Sequence, residues 1–346
     1  VDRWAATSPS PSTINYQPST RLRLASGAVS GFNMGGRMFD TIKTWAGFIK
    51  LSHTVFALPF ALAAMAVAAR DQRGWPGWRT FALILAAMVC ARSCAMAFNR
   101  IVDRRFDALN PRTATRHLPA GRVTLAGAWT FWLLSAAGFM LVTWFINRIC
   151  FLLAPVALAI VCFYSLTKRF TDFTHIFLGV ALALAPIGAW LAVRGDFILF
   201  PMRDGRLSLS HSAILSLLLA VAVVFWLAGF DIIYALQDYE FDRRQHLHSL
   251  VVRWGVQNAL RASFLAHLIM WVTLGVFGLL ARFWIAYLVG LVLIIACLVM
   301  EHWLARKRSL KWIDTAFFRL NALISVIFLV VTLAEVAFPR FQLFTP

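Results

Sequence analysis

Acidic side chains are scarce in this chain: 15 Asp and Glu stand against 33 Lys and Arg in 346 residues, a formal net charge of +18. Charged residues of both signs make up only 14% of the sequence, whereas 60% is hydrophobic and the mean hydropathy is +0.73. That balance excludes an ordinary soluble domain. The positive excess does not indicate nucleic acid, because the basic residues lie between apolar stretches rather than on one polar domain. Cysteine is also sparse. Cys90, Cys94, Cys150, Cys162 and Cys297 all fall in apolar segments, at spacings that suit neither a disulfide framework nor a zinc site, and read as small core residues. Residues 1–36 are rich in Ser, Thr, Pro, Gly and Arg, with Asp2 the only acid before Asp40, and lack the apolar core of roughly 7–15 residues that a secretory signal needs. Residues 1–40 are expected to form a disordered polar tail whose composition also fits an organellar transit peptide, with Met34 and Met38 as alternative starts.

What is present in abundance is long apolar sequence. Stretches of about 20 residues, enough to cross a bilayer as helix, recur from Thr44 almost to the C-terminus. They predict nine helices, over 44–69, 80–100, 124–146, 149–167, 173–194, 212–236, 258–281, 284–305 and 313–337. The breaks carry turn or charge signals, such as Gly74-Trp75-Pro76-Gly77, Asn147-Arg148, Arg194-Gly195-Asp196 and Arg306-Lys307-Arg308. The expected fold is therefore an all-α, polytopic membrane bundle in residues 41–340, around a central cavity open to the cytoplasmic face. With the N-terminus inside, the tail and the segments after spans 2, 4, 6 and 8 carry roughly 21 Lys and Arg against roughly 9 on the other side. This charge bias turns the polar site toward the cytoplasm, and the expected location is a bacterial inner (cytoplasmic) membrane.

The few acids are not scattered. Six of the 15 (Asp103, Asp107, Asp231, Asp238, Glu240 and Asp242) lie in two short windows. In the first, Asn99, Asp103 and Asp107 are spaced by four, along one helical face; in the second, Asp231, Asp238 and Asp242 are spaced by seven and four, again one face. Four crossings separate the windows, so both face one compartment. Clustered carboxylates at membrane helix ends repel one another without a compensating cation. With only oxygen ligands nearby, a hard ion such as Mg²⁺ bound together with substrate phosphates fits them. Arg112, Arg116 and Arg122 follow the first window, Arg243 and Arg244 the second, and Lys168 and Arg169 end span 4, a supply of donors suited to a diphosphate. Arg92 lies inside span 2 on the face of Asn99, where it should meet a carboxylate or an anionic substrate.

These residues resemble the UbiA superfamily of intramembrane aromatic prenyltransferases over about residues 43–337. Asn99, Asp103 and Asp107 match its Asn-x3-Asp-x3-Asp motif, and Arg112-Thr113-Ala114-Thr115-Arg116 the Arg-Thr-x2-Arg that follows. Asp231, Tyr234, Ala235, Asp238 and Asp242 match Asp-x2-Tyr-Ala-x2-Asp-x3-Asp. The segments 53–61 and 164–169 and His248-Ser249 look most like the 4-hydroxybenzoate polyprenyltransferase group, which includes relatives on the futalosine route to menaquinone. Gln245-His246 departs from the group, standing where a Gly precedes Leu-His-Ser.

The resemblance implies two Mg²⁺ ions held by Asp103, Asp107, Asp238 and Asp242, with Asn99 assisting and Asp231 in support. A polyprenyl diphosphate would be gripped by Arg112, Arg116, Lys168 and Arg244, and its allylic cation attacked by a ring carbon of a small aromatic acid. Tyr164, Tyr234 and Phe98 are candidates to face the cation. Asp231 and Asp238 are both candidates to take the ring proton. The implied acceptor is 4-hydroxybenzoate, with a naphthoate as alternative; Arg92, Lys50 and His53 are candidate acceptor contacts. A secondary transporter of an anionic solute is the reading from another class, but the charged windows sit at span ends rather than at the midplane.

Overall fold

The computed structural model describes residues 43–50, 56–195, 202–203, 206–207, 210–306 and 316–338. The polar tail expected at 1–40, His53 and the basic run Lys307, Arg308 and Lys311 lie outside the described residues.

The helices begin and end where local chemistry dictates. Helix α1 is Ala57–Ala68, α2 Trp78–Leu109, α3 Leu125–Ile146, α4 Arg148–Phe163, α5 Thr174–Arg194 and α6 His211–Ala235. The short α7, Tyr239–Arg244, follows a single 3₁₀ turn, and α8 Leu250–Leu280, α9 Ile285–Arg306 and α10 Asn321–Ala337 complete the set. Side-chain oxygens of Thr124, Asn147, Ser210 and Ser249 accept from the backbone N–H groups of Gly127, Cys150, Ala213 and Val252, capping α3, α4, α6 and α8. Gly195 closes α5 with a left-handed φ of 72°. Between α5 and α6 lies an antiparallel hairpin of two-residue strands, Met202–Arg203 and Arg206–Leu207.

Eight segments among the described residues are long and apolar enough to cross a membrane. Their outward surface suits lipid: Leu134, Leu279 and Val292 are 66%, 75% and 64% exposed. The nine predicted spans find their counterparts in α1 and the eight membrane-length segments. The span expected at 258–281 begins instead at Leu250 and is kinked at Gly255 (φ 76°, ψ 164°), and two further corrections concern the first two spans. The first was expected as one helix over 44–69, but the described helix is only the 12 residues of α1, after a helical piece at 43–48 and a turn in which Lys50 has φ 48°. The second was expected to stop at Arg100, yet α2 continues to Leu109. Charge ends a hydropathy window, but it does not end a helix; Asn110-Pro111 does.

Helix α2 packs on α3, α5 on α6, α6 on α8, and α9 on α10; α1 lies against both α5 and α10. Within the main core, Phe60 packs 4.8 Å from both Trp226 and Phe328, joining α1, α6 and α10. A buried polar chain ties α6 and α10 to α9, Trp226 Nε1–H to Asn321 Oδ1 (2.8 Å) and Asn321 Nδ2–H to Glu301 Oε1 (2.8 Å). Gly179 lets α5 approach α6 closely, since a Cβ there would sit 2.6 Å from the Val224 carbonyl oxygen.

Candidate active site

At one end of the bundle, α2, the 3₁₀ turn after α4, and the α6–α7 junction surround a cavity of about 270 Å³. The register of α2 turns Arg92, Asn99, Asp103 and Asp107 toward it. Opposite stand Asp231, Tyr234, Asp238 and Asp242, and the 3₁₀ segment Tyr164–Arg169 contributes Tyr164 and Lys168. Arg112 and Arg116 enter from the loop after α2, and Lys50 also lines the space. The two carboxylate windows, more than 120 residues apart in sequence, thus form two walls of one chamber. Arg244, expected on the diphosphate, is exposed and not among the lining residues: α7 turns Asp242 inward and therefore carries Arg243 and Arg244 out. Phe98, a candidate to face the cation, packs instead against Trp129 and Trp132.

Each carboxylate of the first four has its own cationic partner. Asp107, buried, meets Arg116 Nη1 at 2.6 Å and Arg100 Nη1 at 3.8 Å. Asp103 accepts from Asn99 Nδ2 (2.9 Å) and lies 3.5 Å from Arg169 Nη2. Asp242 pairs with Lys168 Nζ at 3.1 Å. Asp238 is held by both arms of Arg112 and by Asn110 Nδ2 (3.0 Å), a bidentate arrangement that fixes its plane. Burial alone would weaken the hold of the Arg112 guanidinium on its proton, but its hydrogen bonds to Asp238 and Tyr234 outweigh that and push its pKa above the usual range.

Local structure explains how the loop reaches across. Asn110 ends α2, its Oδ1 accepts from the Arg112 N–H (3.0 Å), and Thr113 Oγ1 donates to the Asp107 carbonyl (3.0 Å). This tight turn sends Arg112 back over the chamber, 5.3 Å above the Tyr234 ring.

Sequence reasoning missed three participants, Asn110, Arg100 and His175, whereas Arg169, expected among the diphosphate donors, stands on Asp103 instead. Asn110 and Arg100 partner the carboxylates, and His175, fully buried on α5, sets its Nδ1 2.7 Å from Asp231 Oδ2. The i+7 spacing of Arg100 and Asp107 was a usable signal, since it puts both on one face of α2. For His175 the sequence held none.

Among the described residues no group of three His, Cys, Asp or Glu side chains is arranged to hold a metal ion. The donor chemistry nevertheless fits a hard cation: four carboxylates and an amide oxygen converge on one chamber, and Asp107 Oδ2 is buried without a hydrogen-bond partner. Arg92 Nε is likewise buried and unpartnered beside the cavity, and among the described residues Arg92 forms no ion pair with a carboxylate.

The family model described as UbiA prenyltransferase family matches residues 57–323. The chain belongs to this family. It is therefore an enzyme of the prenyl-transferring class, set in the membrane by its helices. Among curated proteins, this UbiA member is similar to the 4-hydroxybenzoate octaprenyltransferase of Tolumonas auensis, 27% identical over 261 residues that cover 75% of this chain and 86% of that one. It is also similar to the 4-hydroxybenzoate octaprenyltransferase of Pseudomonas aeruginosa, 28% identical over 237 residues, 68% and 74% of the two chains. Among solved structures, the apo structure of a UbiA homolog from Aeropyrum pernix K1 superposes with a TM-score of 0.70 at 29% identity, covering 82% of this chain and 98% of that chain. A UbiA homolog from Archaeoglobus fulgidus bound to GPP and Mg²⁺ shares the fold, with a TM-score of 0.61 at 21% identity over 84% and 99% of the chains.

Proposed function

We propose that this UbiA enzyme transfers a polyprenyl group from polyprenyl diphosphate to a ring carbon of 4-hydroxybenzoate, in a Mg²⁺-dependent reaction of quinone biosynthesis. The observation that carries the reading is the chamber in which Asp103, Asp107, Asp238 and Asp242 face Arg112, Arg116 and Lys168. Two Mg²⁺ ions would be held by those four carboxylates with Asn99, and would supply the charge that steadies the diphosphate as it leaves. The fold neighbour with GPP and Mg²⁺ supports the same kind of ligand here.

On this reading Arg112, Arg116 and Lys168 turn from the carboxylates to the phosphate oxygens. The allylic C–O bond then breaks and its electron pair departs with the diphosphate, whose growing negative charge these cations meet. Tyr164 and Tyr234 line the same space, where ring faces can stabilise the allylic cation. A ring carbon of the acceptor attacks, and its proton passes to a carboxylate; Asp231, which forms no arginine or lysine ion pair among the described residues and is oriented by His175, is the candidate this favours. The unpaired Arg92 supports a carboxylate on the acceptor, as do the names of the curated relatives. The excess of Lys and Arg on the connections at the carboxylate end supports a cytoplasmic site in a bacterial inner membrane. On this reading residues 41–340 would be the catalytic membrane domain.

Membranes containing the protein, incubated with Mg²⁺, a labelled polyprenyl diphosphate and either 4-hydroxybenzoate or a dihydroxynaphthoate, test this directly. Prenyl transfer to 4-hydroxybenzoate, abolished by EDTA and by Asp103→Ala or Asp238→Ala, is the expected outcome. Transfer to the naphthoate alone would replace the acceptor, and full activity in either variant would remove the carboxylates from the site.

A further inference from the structure

A second cavity, of about 410 Å³, lies between α8 and α9 and has no part in the proposed chemistry. It is built by helical periodicity from two facing stripes. Gln257, Leu260, Arg261 and Phe264 are spaced i, i+3, i+4, i+7 on α8, while His302 and Arg306 are spaced i, i+4 on α9. Neither Arg261 nor Arg306 has an acidic partner among the described residues, and the single side-chain hydrogen bond of Arg261 goes to Asn258 (3.4 Å). Two guanidinium groups without an acidic partner among the described residues therefore line one cavity, one from each helix.

The floor of the cavity is polarised in a definite sense. His302 is only 8% exposed, and its Nε2 lies 3.0 Å from His267 Nδ1, while His267 Nε2 lies 3.3 Å from the Trp226 carbonyl oxygen. A carbonyl can only accept, so His267 carries its proton on Nε2 and its Nδ1 is the acceptor. His302 must then donate from Nε2, which leaves His302 Nδ1 as a lone pair. The lining thus offers a ligand two cations and an imidazole whose free nitrogen is an acceptor.

The position selects the ligand's source. Helix α8 starts just after the α7 turn, and α9 returns to finish at Arg306, so the cavity opens at the same end of the bundle as the carboxylates, at the level of a headgroup layer. Its apolar border is exposed: Phe264 is 50%, Leu265 56% and Trp303 52% accessible. We propose that this cavity binds an anionic phospholipid whose phosphate sits between Arg261 and Arg306, whose headgroup hydroxyl donates to His302 Nδ1, and whose acyl chains run along the Phe264 and Trp303 surface. Phosphatidylglycerol has this combination of groups; phosphatidylcholine has the phosphate but neither the net charge nor a donor.

The full chain, purified in detergent, is titrated with phosphatidylglycerol or phosphatidylcholine, and binding is read by native mass spectrometry and by the shift in Tm. Phosphatidylglycerol should bind the wild type at least roughly tenfold more tightly than it binds a protein carrying Arg261→Gln and Arg306→Gln, with prenyl transfer unchanged in that variant. His302→Leu should reduce the preference for phosphatidylglycerol over a phosphatidic acid methyl ester, which keeps the charge but lacks the hydroxyl. Equal binding of the two phospholipids by the wild type would overturn the proposal, as would an equal response of wild type and variant. An arm with inorganic phosphate separates sources: a Tm shift as large as that from the lipid would mark a general anion site and refute a lipid one. Should the double variant not fold, Arg306→Gln alone and the wild-type comparison decide the matter.

Discussion

Among individual residues, the most informative is one that composition could not flag. His175 is sealed inside the protein with Nε2 unpartnered and Nδ1 on Asp231, so its one service is to fix the orientation of that carboxylate. Replacing it with Leu should lower kcat by roughly tenfold to a hundredfold while KM for the diphosphate stays near its wild-type value. Asn, whose amide can donate from nearly the same point as Nδ1, should restore most of the rate; loss of folding in both variants, measured by Tm, would assign His175 to packing instead. Lys168→Ala acts on the other quantity. It removes the cation beside Asp242, so the apparent KM for the diphosphate should rise, and an unchanged KM would take Lys168 out of the substrate's reach. The common placement of Asn99, Asp103 and Asp107 on one wall of the chamber was legible in the sequence because a spacing of four is itself a statement about geometry. The partners Asn110 and His175 were not, because a pairing across 128 or 56 residues is set by tertiary packing that no local period encodes.

At the level of elements, the departure at Gln245-His246 has a concrete cost. His246 has φ 53°, and the Leu247 N–H reaches the Asp242 carbonyl (2.9 Å) while the His246 N–H reaches that of Arg243 (3.4 Å). This is a Schellman closure of α7 with a Cβ-bearing residue in the left-handed position, where glycine is favoured. His246→Gly should keep the turn and raise stability by about 0.5–1 kcal/mol, seen as a small increase in Tm in detergent. A fall in Tm would mean that the exposed imidazole contributes more than the backbone strain removes. Boundaries show the same division between what the chain announces and what it does not. Asn147 and Gly195 announced their breaks because each has a capping role. The extension of α2 to Leu109 escaped the hydropathy pattern, which falls among Arg104, Arg105 and Asp107, but was announced by the spacing of four between Asn99, Asp103 and Asp107. The turn at Lys50 was hidden for the opposite reason, an apolar run that continues through a break in the helix.

Taken as a whole, the molecule joins its halves through charge: Arg112 and Asn110 from the first window's loop hold Asp238 of the second, and Lys168 from between them holds Asp242. This arrangement requires both windows on one side of the bilayer. Cysteines placed at the exposed positions Arg105 and Arg243, in a background lacking the five native cysteines, should be labelled from the same side of sealed vesicles by an impermeant maleimide. Labelling from opposite sides would contradict the topology. The helical, polytopic class was readable from composition alone, because only helices satisfy the backbone in long apolar stretches. The pairing that closes the chamber was not, because it depends on which arginine meets which carboxylate.

Helix α2, with 32 residues, extends about 48 Å, well beyond the hydrocarbon layer of about 30 Å, and its carboxylates lie in the final turns. An isoprenoid carrier could therefore deliver its anionic head by sideways diffusion within its own leaflet, with no flip across the membrane. Supply of the hydrophobic reactant then becomes a two-dimensional search, governed by its abundance in the bilayer rather than by its vanishing solubility in water.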